Sequence, residues 1–168
     1  MTYRAPVADI SFALKNAAGF GAALAEGLYG DLAVDVVEAV LGEAGKFATD
    51  ILSPLNPIGD RDGTRFKDGV VTTAPGWKEA YRAWAQAGWN AVAAPAQWGG
   101  QALPHALNAA CIEMWNSAAM AFGLGPLLTM AAEFHISIQA ALSACGRSWP
   151  PHCAGAATAF QPACAQAR

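Results

Sequence analysis

The sequence predicts an all-α fold with at most one small β-hairpin, and three observations carry that expectation. Apolar residues recur at steps of three and four over residues 33–52, 76–87, 104–120 and 126–142, the spacing of buried helix faces. Alternating runs are scarce: only residues 64–73 offer two short strands, around Asp68-Gly69, a pair suited to a tight hairpin turn. Proline and glycine punctuate the boundaries between the periodic segments.

Taken in order, residues 9–17 form a short helix with Ile10, Leu14 and Phe12 on its apolar side. The Gly/Ala-rich stretch 18–30 reads as a connector; its Gly19-Phe-Gly21 lacks the third glycine of a dinucleotide loop and follows no strand. The first strong helix places Val34, Val37, Leu41, Ala44, Ala48 and Ile51 on one stripe. Asp31 is its expected cap, Asp35 and Glu38 suit its positive end, and Pro54 and Pro57 are expected to stop it. Pro75 is expected in the first turn of the next helix, whose Trp77, Tyr81 and Trp84 form a core stripe. Residues 88–103 are a loop in which Trp89 and Trp98 imply close packing against another surface. Pro104 opens a helix with Leu107, Cys111, Met114 and Ala118 along one side. Gly123-Leu-Gly-Pro126 is expected to separate it from a last apolar helix. The resulting organisation is an extension and linker (1–31), a helical domain (32–143) and an irregular tail (144–168).

Hydrophobic residues make up 54% of the 168 residues and charged ones 14%, below the roughly 25% usual in soluble domains. The charges are uneven: of 23, all but Glu113, Glu133, Arg147 and Arg168 lie in residues 1–82. A second half so poor in charge expects a covering partner or lipid. The uncharged run 114–132 has nearly the length of a membrane span, but Asn116, Ser117 and Pro126 interrupt it and no Lys/Arg cluster flanks it, so no membrane is expected. The net charge of −3 points away from nucleic acid. The Met-Thr-Tyr-Arg start lacks the apolar core of a signal peptide, which gives a cytoplasmic expectation.

Metal sites are not indicated. Cys111, Cys145, Cys153 and Cys164 contain no zinc-type pair, and Cys111 sits at an apolar helical position where it packs. Asp60-Arg-Asp62-Gly63 opens like a calcium loop, but Arg65 stands where the glycine belongs and Val71 where the bidentate glutamate belongs. His152-Cys153 is adjacent rather than spaced for a metal.

Several segments in fixed order carry a family resemblance: Lys46-Phe-Ala-Thr-Asp-Ile-Leu-Ser-Pro-Leu-Asn-Pro-Ile-Gly-Asp60, Gly88-Trp89-Asn90, Pro95-Ala-Gln-Trp-Gly-Gly-Gln-Ala-Leu-Pro104, Glu113-Met-Trp-Asn-Ser117 and Pro126-Leu-Leu-Thr129. Over roughly residues 39–130 the chain resembles the amino-terminal domain of acyl-CoA dehydrogenases. Its opening, Met1-Thr-Tyr-Arg-Ala-Pro-Val7, resembles the branch related to 3-methylmercaptopropionyl-CoA dehydrogenase. The resemblance implies an oxidoreductase that converts an acyl-CoA thioester of fatty acid metabolism to an enoyl-CoA, passing hydride to FAD. Complete members are homo-oligomeric flavoproteins, in which a β-domain, a helical bundle and a catalytic glutamate follow.

No residue here matches that glutamate, and no segment resembles the flavin-contacting strand. The expectation is therefore a truncated or frame-shifted fragment, inactive alone, binding no FAD tightly and prone to self-association through residues 103–142. Catalytic and cofactor-binding residues are not assigned. The resemblance carries one site, an acyl-cavity wall of Met114, Trp115, Ala118, Ala119 and Phe122. These apolar and small side chains suit a cavity wall, and they suit a helix–helix seam equally well. The competing reading is a small helical interaction or membrane-associated protein without catalytic activity.

Overall fold

In the computed structural model, residues 3–144 are described, with side chains through residue 131. The fold is helical as expected. Helix α1 (Val7–Phe12) runs into a π-turn (Ala13–Ala17), and α2 (Phe20–Ala25) follows. Helix α3 (Val34–Lys46) continues through a second π-turn (Phe47–Leu52) into α4 (Ser53–Asp62). Strands β1 (Arg65–Lys67) and β2 (Val70–Thr72) precede α5 (Trp77–Gln86), two 3₁₀ turns (Trp89–Ala91 and Ala96–Trp98) and α6 (His105–Ala144). The chain divides into two units, Met1–Leu128 and Thr129–Arg168. The expected tail, the cysteines at 145, 153 and 164, and the side chain of Glu133 lie outside the described residues.

Helix α3 is the spine of the first unit. Its Val37, Leu41 and Ala44 are fully buried, and α1 packs across it. The α1 side is tied down by Glu38, which accepts bonds from the Lys15 ammonium and, at 2.9 Å, from the Ser11 hydroxyl. These two donors, Lys15 first, hold the Glu38 carboxyl below its ordinary pKa. Further along α3, Gly45 has no room for a methyl group, which would overlap the Val7 side chain and lie 3.5 Å from Met114 Sδ. The Ala5 amide donates to Thr49 Oγ1 at 3.0 Å, so the segment before α1 is fixed along the same helix.

The stretch expected to be a plain connector contains α2. Phe20 is buried there and stacks on Tyr29 with ring centroids 4.8 Å apart, giving a six-residue helix, too short to hold by itself, an anchor. Asp31 does not cap α3; Ala33 is the N-cap and makes no side-chain bond. Phe12 is exposed, because α1 offers α3 only the Ile10–Leu14 side.

Pro54 and Pro57 do not stop the helix. A proline ring normally clashes with the carbonyl four residues back and removes one ladder bond. The π-turn immediately before Pro54 widens the coil, so Pro54 falls at the start of a new α segment, where its missing N–H is tolerated. Pro57 then lies inside α4. In the π-turn Leu52 is 0% exposed, whereas Ile51, which the sequence places on the stripe, is 37% exposed.

The hairpin forms where expected, with Asp68 (φ 52°) and Gly69 (φ 79°) both left-handed and Arg65 paired with Thr72. Both of its strands are exposed. Pro75 stands outside α5, whose N-cap is Gly76 in the left-handed region. On α5 the core takes Trp84 and, in part, Trp77, while Tyr81 is exposed. The loop after α5 closes on itself: Leu103 N–H donates to Val92 O and Gln101 Nε2 to Gly88 O, both at 2.9 Å. Trp89 packs inward from that loop, and Trp98 is exposed.

Pro126 does not divide the last two expected helices. It sits inside α6, and the non-helical residue is Ala119, with φ −157° and ψ 84°. No helix among the described residues is long and apolar enough to cross a membrane.

The π-turn makes a distinguishing prediction. Leu52→Ala should lower the free energy of urea unfolding by about 2–5 kcal/mol, the usual cost of emptying a buried leucine site. Ile51→Ala should change it by less than about 1 kcal/mol. Equal losses would contradict the burial of Leu52 in preference to Ile51.

Candidate acyl-site wall

The five residues singled out for the wall all lie in the first unit, on α6 around its break. Met114 is on the side of α6 that meets α3 near Gly45, where a methyl group would lie 3.5 Å from its Sδ. Trp115, one residue on, donates its indole N–H to the carbonyl of Ala44 at 3.3 Å. Its ring is clamped edge-on by Trp84, with centroids 5.8 Å apart, and by Trp89, at 5.3 Å. Ala118 and Ala119 follow at the break, and Phe122 meets the edge of Trp77 at 6.1 Å. All five belong to one core cluster and none is more than 5% exposed.

Aromatic packing dominates this cluster, and magnitudes show why. The indole N–H groups of Trp77 and Trp84 are buried without a hydrogen-bond partner in the structure. Each unmet donor costs about 1–3 kcal/mol. Burying an indole removes about 200 Å² from water, worth about 5 kcal/mol at about 25 cal/mol per Å². The apolar gain exceeds the polar loss, so the rings stay inside.

The electrostatic character is that of a dry wall. Cys111, one turn before Met114 and Trp115, is fully buried, and desolvation pushes its thiol up to about 12. It is therefore a packed thiol with no thiolate to act as nucleophile. Glu113 points away and is exposed. Tyr3 lies near it: burial raises the Tyr3 pKa, a bond with Ser117 opposes that rise, and the Glu113 charge adds to it. No group of three His, Cys, Asp or Glu side chains suited to a metal occurs among the described residues. A wall of this kind can exclude water and guide an apolar chain, but it holds no group that takes a proton.

An open groove of about 790 Å³ runs between the segment 4–9 and α3, bordered by Arg4, Asp9, Lys46 and Asp50. It includes none of the five wall residues. The five wall residues are buried within one core cluster, which leaves no isoalloxazine-sized opening among those five. Sequence reasoning placed Ala44 on the buried stripe, but missed its carbonyl as the Trp115 acceptor and missed Gly45, whose lack of a side chain admits Val7. The available signal was a glycine inside a strong helix, at a position facing the core.

No protein-family profile matches the chain. Over 138 residues it is 41% identical to 3-methylmercaptopropionyl-CoA dehydrogenase of Ruegeria pomeroyi. The aligned stretch takes in 82% of this chain and 24% of that relative, so the chain spans about a quarter of the relative's length. With 41% of aligned positions shared and a helical fold of the expected kind, the chain belongs to the acyl-CoA dehydrogenase family.

Proposed function

We propose that this chain is the helical, acyl-facing part of a flavin-dependent acyl-CoA dehydrogenase, with residues 32–143 as its domain. The complete enzyme takes an α-proton from an acyl-CoA thioester and passes the β-hydride to FAD, giving the enoyl-CoA. The observation that carries this reading is the 41% identity to a dehydrogenase named for an acyl-CoA substrate. Met114, Trp115, Ala118, Ala119 and Phe122 are the proposed wall, and their apolar surface is what a thioester's acyl chain would meet.

This chain's share of the reaction is to bind and to exclude water. Proton abstraction needs a base within hydrogen-bond reach of the α-carbon's proton, and the wall holds none. Hydride transfer needs the flavin fixed against the β-carbon, which is the protein's part in a cofactor reaction. Both come from elsewhere in a complete family member. The isolated chain is accordingly inactive and binds no FAD tightly.

It is also prone to self-association. Met120, Leu124 and Leu128, at 64%, 53% and 72% exposure, form an apolar stripe at i, i+4 and i+8 on α6. Sedimentation velocity should show a sedimentation coefficient rising with concentration, and Leu124→Glu should suppress the rise. A concentration-independent monomer would contradict this.

The functional reading is tested by exchange. The 138 aligned residues of this chain are placed in the Ruegeria pomeroyi enzyme in exchange for its own. Flavin content and acyl-CoA oxidation are then followed with an artificial electron acceptor. The hybrid should keep its flavin and turn over within about tenfold of the parent, a loss of about 1.4 kcal/mol or less in transition-state stabilisation. The chain alone should give no yellow protein. A folded, flavin-loaded hybrid without turnover would overturn the reading.

A further inference from the structure

The break in α6 has an unusual neighbour. A methyl group placed on Gly123 would overlap Asn116 Oδ1 and lie 3.0 Å from Asn116 Cγ and 3.7 Å from Asn116 Cα. Residues seven apart in a straight α-helix are separated by about 10.5 Å along the axis, at 1.5 Å per residue. An asparagine side chain cannot bridge that distance. The contact therefore accompanies a fold-back of the chain at Ala119, the residue with non-helical dihedrals in α6.

Sharp helix kinks have identifiable causes, and the usual one is proline. Pro126 lies seven residues beyond the break. What lies at the break is a polar side chain seated on a residue without a side chain. We propose that Asn116 and Gly123 are positioning residues that set the fold-back of α6. This orients the wall built by Ala118, Ala119 and Phe122. The assignment of that wall rests on the acyl-CoA dehydrogenase reading; the fold-back and its cause do not.

The contact dictates a reversal of sign. In the full chain, Gly123→Ala must displace the Asn116 carboxamide and should lower Tm by about 3–10 °C, as overpacking of a tight site does. In the Asn116→Ala background the nearest remaining Asn116 atom, Cα, sits at an ordinary contact distance of 3.7 Å. There Gly123→Ala should leave Tm unchanged or raise it, because alanine is the better helix former. The same loss in both backgrounds would mean no coupling and would overturn the proposal.

A direct readout guards against a variant that fails to fold. In the unmodified chain, nuclear Overhauser contacts should link the Asn116 side-chain amide to the Gly123 α-protons; their absence would overturn the proposal as well. Neither measurement involves acyl-CoA, so failure here leaves the substrate reading standing, and failure of the hybrid enzyme leaves the fold-back standing. In an active hybrid, Asn116→Ala should raise KM severalfold at constant flavin content. A fall in kcat at unchanged KM would contradict a role in orienting the wall.

Discussion

The fold rests on the close approach of α3 and α6, fixed by one hydrogen bond in a dry setting: the Trp115 indole N–H on the Ala44 carbonyl. That carbonyl already belongs to a helix, so the indole adds a second bond to an acceptor with two lone pairs. Beside it, Gly45 leaves room for the Val7 side chain, which a methyl group there would overlap. From this seam the rest follows. Val7 and Ala5 pack over Gly45 from one side, Trp84 and Trp89 clamp the indole from another, and Val37 and Leu41 extend the buried face toward α1. Removal of the seam would leave α5 and the loop after it with nothing to cover.

The same seam joins fold to function. A helix presenting alanines and aromatics is ambiguous by composition, since such residues suit a cavity wall and a packed core alike. In this chain they bury one another, and the α3 side of α6 is already occupied. The exposed Met120 and Leu124 lie close in sequence to the break at Ala119. The chain spans only about a quarter of the length of the dehydrogenase it matches.

Much of the fold was legible in the sequence because periodicity is a local signal. The stripe Val37–Leu41–Ala44–Ala48 and the Asp68-Gly69 turn are set by neighbours within a few residues, and both formed as the pattern implied. The misreadings share a cause: each depended on tertiary relief of a local penalty. Pro54 and Pro57 are helix breakers unless a π-turn widens the coil before them, and nothing in the sequence marks such a turn. The six residues of α2 are too few to hold a helix until Phe20 finds Tyr29. Pro126 looked like the interruption in α6, whereas the break at Ala119 depends on a contact seven residues long that no short-range rule anticipates. The wall residues themselves came from family resemblance; spacing alone gave only their shared face.

If the α3–α6 seam is the keystone, its two sides must open together. Native-state hydrogen exchange on the full chain tests this most directly, since segments that form one cooperative unit exchange with the same opening free energy. The slowest amides should fall within α3 and within the part of α6 before Ala119, with matching protection that rises and falls together under denaturant. The β1–β2 hairpin, exposed on both strands, should exchange far faster. Strong protection of α3 with ready exchange in residues 105–118 would show that α3 holds without its partner, and would contradict the account.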